Sequence, residues 1–211
     1  LAFTHEQPNF YRDLVLYHFA SGARHRVSDG SADVAAPAFS RDGKYLYFAA
    51  STNSGPLQVG LNMSSQERPY RAGLYAAVLA ADSASPLAPK AGDEEAKADA
   101  NEDDDGDKPP AATRVDPEGI AQRIVALPVA EANYSNLAAA DDGKLYFVQS
   151  VQPGATVEVP GKDENSANAI LRFDFEKREA SSLLQGIAGF VLSADGKLLL
   201  LEKVDGSLAT T

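Results

Sequence analysis

A short β-hairpin pattern, an Asp-Gly turn followed by Lys and an apolar strand, occurs three times and constrains the fold more than any other feature of this chain. Asp hydrogen-bonds within its own turn, and Gly supplies the positive φ angle that a Cβ would disfavour. The Lys then opens a strand with a solvated charge. The copies span residues 39–48, 141–148 and 193–200, with turns at Asp42-Gly43, Asp142-Gly143 and Asp195-Gly196. Three such units indicate a structural repeat.

The segments around these hairpins predict an all-β fold, a partial β-propeller built of four-stranded antiparallel blades with an acidic flexible insert. Such units, entered through a hairpin at a spacing of roughly 50 residues, are typical of propeller blades. We expect residues 1–34 to form outer strands of a preceding blade, 35–85 a blade, 86–118 the acidic insert, 119–186 a second blade and 187–211 the inner strands of an incomplete blade.

Two strands in this scheme depend on weaker patterns. Residues 72–81 are predicted as a strand, although their alanine content also permits a short helix. Residues 120–129 are predicted as the strand that opens the second blade after the insert. These strands are too few to close a ring of blades, so each end of the stack would expose an apolar sheet face to solvent. We therefore expect either a longer chain with further blades or association of identical copies.

The net charge of −11 comes largely from one segment, because ten acidic residues and only two lysines lie between Asp82 and Asp107. The rest of the chain is nearly neutral, so no basic face is expected to bind nucleic acid. The chain has no cysteine, which excludes a disulfide framework and a thiolate metal site. It has no apolar run long enough for a membrane span, and none is expected.

No set of residues predicts catalysis, cofactor binding or a metal site, and we expect no cofactor. His18 and His25 flank one turn and His5 precedes them, but no suitably spaced carboxylate completes a zinc site. Residues 101–106 begin like an EF-hand loop, but Ala112 occupies the twelfth position, where a bidentate Glu is required. Neither a Gly-x-Ser-x-Gly elbow nor a Gly-rich phosphate loop occurs.

Four tyrosines in predicted strands, Tyr45, Tyr47, Tyr75 and Tyr146, allow two interpretations. They either line a peptide-binding channel or pack between blades. Aromatic residues at strand spacing favour packing between blades, because their rings bury a large apolar surface. The residues of any peptide channel therefore stay unknown from the sequence.

Three further segments, together with the first hairpin, resemble the propeller region of tricorn-protease-like serine peptidases. They are residues 70–75, Ser85-Pro86-Leu87-Ala88-Pro89 with the acidic run from Asp93, and residues 119–129 with Arg123-Ile124-Val125-Ala126-Leu127-Pro128. The Asp-Gly-Lys hairpin alone also occurs in many periplasmic propellers, including that of the Tol system. The combination of the segments is more specific and spans most of the chain.

The resemblance implies a non-catalytic propeller module of a tricorn-like serine peptidase, one that guides or binds peptide substrates or scaffolds the assembly. The catalytic residues of such a peptidase belong to a separate module, and none is expected here. The implied partners are a peptide or protein substrate and the remaining blades and catalytic module of a longer chain. The alternative is a stand-alone periplasmic protein-binding propeller of the Tol-system type. The resemblance favours the periplasm, with the cytoplasm as the alternative.

Overall fold

Four antiparallel β-sheets, stacked in chain order, make up the described part of this computed structural model. The structure describes residues 1–53, 71–89, 113–150 and 168–210. The segment 101–106, which resembles the start of an EF-hand loop, lies outside these ranges. In the described part of the chain, no helix has the length and apolar character needed to cross a membrane.

The strands follow one another in each sheet in the order in which the chain forms them. Sheet 1 contains β1 (Ala2–Glu6), β2 (Arg12–Tyr17) and β3 (Arg24–Arg26). Sheet 2 contains β4 (Asp33–Phe39), β5 (Tyr45–Ser51), β6 (Gly73–Val78) and β7 (Ile124–Ala126). Sheet 3 contains β8 (Asn133–Ala139), β9 (Leu145–Ser150), β10 (Ala169–Asp174) and β11 (Glu179–Gln185). Sheet 4 contains β12 (Ile187–Leu192), β13 (Leu199–Lys203) and β14 (Leu208–Thr210).

Strand β5 shows why the sheets stack face to face. Its side chains alternate between the two faces of sheet 2, as the pleat of a strand requires. Leu46 and Phe48 pack with residues of sheet 1, whereas Tyr47 and Ala49 pack with residues of sheet 3. All four side chains are buried. Sheet 2 therefore buries both faces, which explains why the apolar run of β5 is continuous rather than alternating with polar residues.

Strand β9 repeats this arrangement one sheet further along the chain. Leu145 and Phe147 pack towards sheet 2, and Tyr146 and Val148 pack towards sheet 4. The first strands of the sheets lie on one side of the stack, where β4 contacts β8. On that side, Asn136 Nδ2 of β8 donates a 2.6 Å hydrogen bond to the carbonyl oxygen of Phe190 in β12. The stack therefore has an inner side formed by β4, β8 and β12, as a partial β-propeller requires.

The predicted all-β fold is confirmed, and the segment 72–81 forms strand β6 rather than a helix. Strand β6 is paired on both sides, with β5 and with β7.

The expectation that residues 120–129 open the next blade is wrong. Ile120–Arg123 forms a 3-10 turn, and β7 pairs antiparallel with β6 through Tyr75 and Ala126. The segment after the acidic insert therefore completes sheet 2. The physical reason is long-range: Arg123 donates to the carbonyl oxygen of Val78 at 3.2 Å and also bonds that of Asp116, which draws the returning chain onto β6.

Candidate functional site

The three Asp-Gly turns adopt the same local geometry. In each copy, the Asp Oδ1 accepts a 3.1 Å hydrogen bond from the backbone N–H of the Lys two residues later. The glycines have φ angles between 70° and 74°, in the left-handed region that a Cβ disfavours. The turns involved are Asp42-Gly43, Asp142-Gly143 and Asp195-Gly196. The sequence prediction of three equivalent tight turns is consistent with this geometry.

The structure also brings the hairpins together, which local sequence patterns do not predict. The backbone N–H of Asp141 donates to the carbonyl oxygen of Gly196 at 3.2 Å. Arg41 reaches from the first hairpin and donates to the carbonyl oxygen of Ala194 in the third at 2.9 Å. Arg41 was missed as a site residue because its partner lies 153 positions away, and no spacing in the sequence signals such a contact.

These contacts place the three hairpins side by side at one end of the inner strands. The inner edge itself is irregular, because β4 and β8 each carry a register shift. Ala36 and Asn136, which lie at these shifts, have positive φ angles of 51° and 56°. Ser135 is exposed on β8. Strand edges offer backbone N–H and C=O groups to an extended chain, so this inner-strand surface (β4, β8 and β12) is the candidate functional site.

The hairpin end carries charge but no group tuned for proton transfer. Lys44 lies 3.6 Å from Asp42, and Lys144 lies 3.5 Å from Asp142. The Ser193 hydroxyl, which donates a hydrogen bond to Asp195, lowers the pKa of that carboxyl below its ordinary value. Backbone N–H donors, chiefly that of Lys177, likewise lower the pKa of Asp174. These carboxylates are ionised at neutral pH, so they are not suited to act as general acids.

The four tyrosines lie between sheets rather than on the inner-strand surface. Tyr47 packs against Phe175 with ring centroids 5.3 Å apart, and Tyr75 stacks on Phe48 at 5.7 Å. Tyr146 packs in the core between sheets 3 and 4, and Tyr45 packs on the core between sheets 2 and 3. Burial, followed by the nearby charge of Asp42, raises the pKa of Tyr47. The interpretation as packing between sheets therefore fits these residues.

The histidines make local contacts. The Nδ1 atoms of His5 and His18 lie 2.9 Å from Gln7 Nε2 and 2.7 Å from Ser21 Oγ, respectively. His25 sits in β3 opposite Leu16. Within the described ranges, no group of three or more His, Asp or Glu side chains is arranged to hold a metal ion.

Antiparallel sheets that bury both faces against their neighbours and converge on their first strands define the class of β-propeller proteins. The chain belongs to a particular family of that class, the tricorn protease second beta propeller domain, whose model matches residues 1–210.

Curated relatives support this assignment. "Tricorn protease homolog 1" of Streptomyces coelicolor is 31% identical over 207 residues, which is 95% of this chain and 19% of that protein. "Tricorn protease" of Thermoplasma volcanium is 23% identical over 203 residues, 94% of this chain and 18% of that protein. The chain thus spans about a fifth of the length of these relatives.

Solved structures show the same fold. The crystal structure of the tricorn protease matches with a TM-score of 0.63 at 19% identity, over 100% of this chain and 19% of that chain. TolB from Acinetobacter baumannii matches with a TM-score of 0.53 at 12% identity, over 98% of this chain and 40% of that chain. The predicted resemblance to the propeller region of tricorn-like peptidases is confirmed.

Proposed function

We propose that this chain is a non-catalytic propeller module of a tricorn-like serine peptidase, and that its inner-strand surface guides extended peptide substrates towards a catalytic module elsewhere in the protein. The convergence of β4, β8 and β12 on one side of the stack carries the proposal. A complete ring of such sheets would surround an axial passage that admits extended chains and excludes folded proteins. The family assignment supports a peptidase as the parent protein.

The surface suits transient contact with many peptides. Its exposed side chains at the shift in β8 are small or uncharged, Ser135 and Asn136, and the shift in β4 carries the partly buried Ala36. Backbone groups at such edges can pair with any extended chain regardless of its sequence. Contacts of this kind fit a passage better than a specific binding pocket does.

The test is a bulky substitution on the inner strand of the full-length peptidase. Ser135→Trp is expected to lower kcat/KM for a long unfolded polypeptide several-fold, because an indole would narrow the passage. Cleavage of a short tripeptide-coumarin substrate should change less, because a short peptide passes a narrowed channel more readily. Ser181→Trp, on the exposed outer strand β11 of the same sheet, is the matched control. If the two variants cleave the long polypeptide equally well, the proposal is wrong.

The alternative is a stand-alone protein-binding propeller like that of the Tol system. The structural likeness to TolB, at 12% identity, supports the shared fold alone. Reading the gene beyond Thr211 discriminates between the two, because a Ser- and His-bearing α/β module would follow only in a peptidase. Scaffolding of an assembly of identical copies is a further role of the same module, and the size of the purified protein in solution tests it.

A further inference from the structure

A crevice between sheets 3 and 4 has a mixed lining and touches the inner-strand surface at Leu192, the last residue of β12. Its volume is about 510 Å³, and it opens beside the second and third hairpins. Leu183, Leu192 and Leu199 form its apolar wall, and Asp142, Tyr146 and Arg172 form its polar wall. Concave sites with an apolar lining and a few convergent polar groups are the usual form of ligand sites.

Arg172 is the unusual residue of this crevice. Leu46 in β5 and Leu145 in β9 each face the preceding sheet, so they occupy equivalent positions. Leu46 pairs with Ala77 and Leu145 pairs with Phe173. Arg172, one residue before Phe173, is therefore the counterpart of Ala76 in sheet 2. Between sheets 2 and 3 this position is occupied by the buried Ala76, whereas between sheets 3 and 4 it is occupied by the Arg172 guanidinium. A cation placed between two packed sheets needs an acceptor for each buried N–H group.

One of these N–H groups lacks an acceptor. The Nε atom of Arg172 is buried, and no residue in the described part of the chain accepts a hydrogen bond from it. The neighbouring polar groups contact other atoms: the Tyr146 hydroxyl donates to Asp142 Oδ2 at 3.0 Å, and Lys144 lies 3.5 Å from the same oxygen. The Arg172 side chain itself hydrogen-bonds the Tyr146 side chain, but Nε remains without an acceptor. A buried donor without an acceptor is unfavourable, so a carbonyl oxygen placed in the crevice within reach of the Arg172 guanidinium would stabilise that side chain.

A strand irregularity shapes the apolar wall. In the pairing of β10 with β11, Ile170 faces Leu184 and Leu171 faces Ser182, which leaves Leu183 as an extra residue in a bulge. Bulges redirect a side chain, and here Leu183 lines the crevice while 40% of its surface stays exposed. The wall therefore offers a partly open apolar subsite rather than a closed core.

The charge of the lining selects the chemistry of the occupant. Arg172 and Lys197 are balanced by Asp141 and Asp142, so the crevice as a whole is neutral. A free carboxylate or an amine would meet as many repulsive as attractive charges. A neutral peptide unit suits both sides, because its C=O can accept from the guanidinium and its N–H can donate to a carboxylate.

We propose that this crevice binds one apolar residue of an extended peptide, with the peptide carbonyl oxygen accepting from the Arg172 guanidinium and the apolar side chain lying among Leu183, Leu192 and Leu199. The site does not require the axial passage, so it goes beyond the function proposed above.

The experiment uses the full-length protein and blocked tripeptides as probes, with binding measured by saturation-transfer NMR and calorimetric titration. Ac-Gly-Leu-Gly-NH2 is expected to bind, and Ac-Gly-Asp-Gly-NH2 is not. Arg172→Met should raise the Kd for the leucine peptide about tenfold, the equivalent of one charge-assisted hydrogen bond. Arg24→Met, the same change at an exposed arginine of β3, should leave the Kd unchanged.

A second variant keeps the proposal testable if Arg172→Met does not fold. Leu183→Asp changes an edge strand that is largely exposed, and it should also abolish binding of Ac-Gly-Leu-Gly-NH2. Equal affinity in Arg172→Met and Arg24→Met, or no binding by the parent protein, would overturn the proposal. Ser135→Trp should bind the probe as the parent does, so failure of the passage and failure of this site give different results.

Discussion

Two glycines in equivalent turns have different surroundings, and this difference predicts different mutational costs. Gly143 and Gly196 have φ angles of 72° and 74°. A Cβ added at Gly143 would meet no atom within 4 Å, whereas one at Gly196 would lie 3.0 Å from the Asp141 nitrogen and 3.1 Å from Arg41. The first site therefore carries only the backbone penalty, and the second adds a tight contact that requires the neighbouring hairpin to move by a few tenths of an ångström.

Gly143→Ala is expected to lower the free energy of unfolding by about 1–2 kcal/mol, the cost of a left-handed L-residue. Gly196→Ala should cost clearly more, because the Asp141 backbone must move. Urea unfolding of both variants measures the difference. Equal losses would mean that the hairpins do not pack against each other as described.

Tyr47 predicts a specific response to alkaline pH. Burial, and secondarily the charge of Asp42, raises its pKa above the ordinary value of a tyrosine. Below about pH 10 the phenol is protonated in both the folded and the unfolded state. Tyr47 therefore adds no pH dependence to the free energy of unfolding in that range. Above that pH the unfolded chain loses its proton first, so the free energy of unfolding falls as pH rises. Tyr47→Phe should flatten this fall in unfolding experiments between pH 9 and pH 11, and an unchanged slope would contradict the assignment.

At the scale of elements, the position of the acidic insert follows from strand pairing. It lies between β6 and β7 of one sheet, and its base is closed by backbone and side-chain contacts. The N–H of Asp116 donates to the carbonyl oxygen of Leu79 at 2.9 Å, and Arg114 bridges Asp82 and Asp116 at 2.8 Å. Arg123 donates to the carbonyl oxygens of Val78 and Glu118. These contacts are made by described residues on either side of residues 90–112, and they tie both ends of the insert to sheet 2.

Deleting residues 93–107 should therefore leave the Tm nearly unchanged. Arg123→Met is the contrasting variant, because it leaves several carbonyl oxygens without a donor and should lower the Tm by several degrees. Differential scanning calorimetry of both variants provides the measurement. A loss of several degrees on deletion would show that the insert packs on the sheets.

The hairpins show a second difference at this scale. The first closes with a hydrogen bond from Ser40 N–H to the Tyr45 carbonyl oxygen, and the second with one from Ala140 N–H to that of Lys144. The loop of the second hairpin is therefore one residue shorter, and the strand residues on either side keep their positions in the core. Leu145 takes the place of Leu46 in the core. An alignment of the two hairpins on their Asp-Gly-Lys residues would therefore shift β9 by one residue relative to β5.

At the scale of the whole molecule, no other sheet in the described part of the chain packs on the outer face of sheet 4. By strand pairing, Leu200 in sheet 4 is the counterpart of Tyr47 and Tyr146, which are 4% and 8% exposed. Leu200 itself is 43% exposed, and Leu208 and Val191 beside it are 67% and 65% exposed. The face thus continues the apolar pattern of the covered faces. We expect a further sheet of the same kind to cover it in the full-length protein.

This expectation is tested by a charge on that face. Leu200→Asp should lower the Tm of the full-length protein by several degrees, because a carboxylate would be buried between sheets. Val204→Asp, at an exposed apolar residue beyond β13, is the matched control and should have little effect. If both substitutions are equally tolerated, the face is open to solvent in the whole protein.

The sequence by itself determined the strands, the three tight turns and the all-β class, because these depend on local chemistry: a Gly that accepts positive φ, an Asp that caps its turn and apolar runs of strand length. The tertiary structure alone decided which strands pair and which hairpins touch. Of the strand predicted at residues 120–129, only Ile124–Ala126 is a strand, and it pairs within sheet 2 rather than opening the next sheet. Arg41 and Arg172 carried no local signal. Pairing and packing join residues that lie far apart in the chain, so no pattern within a short window can specify them.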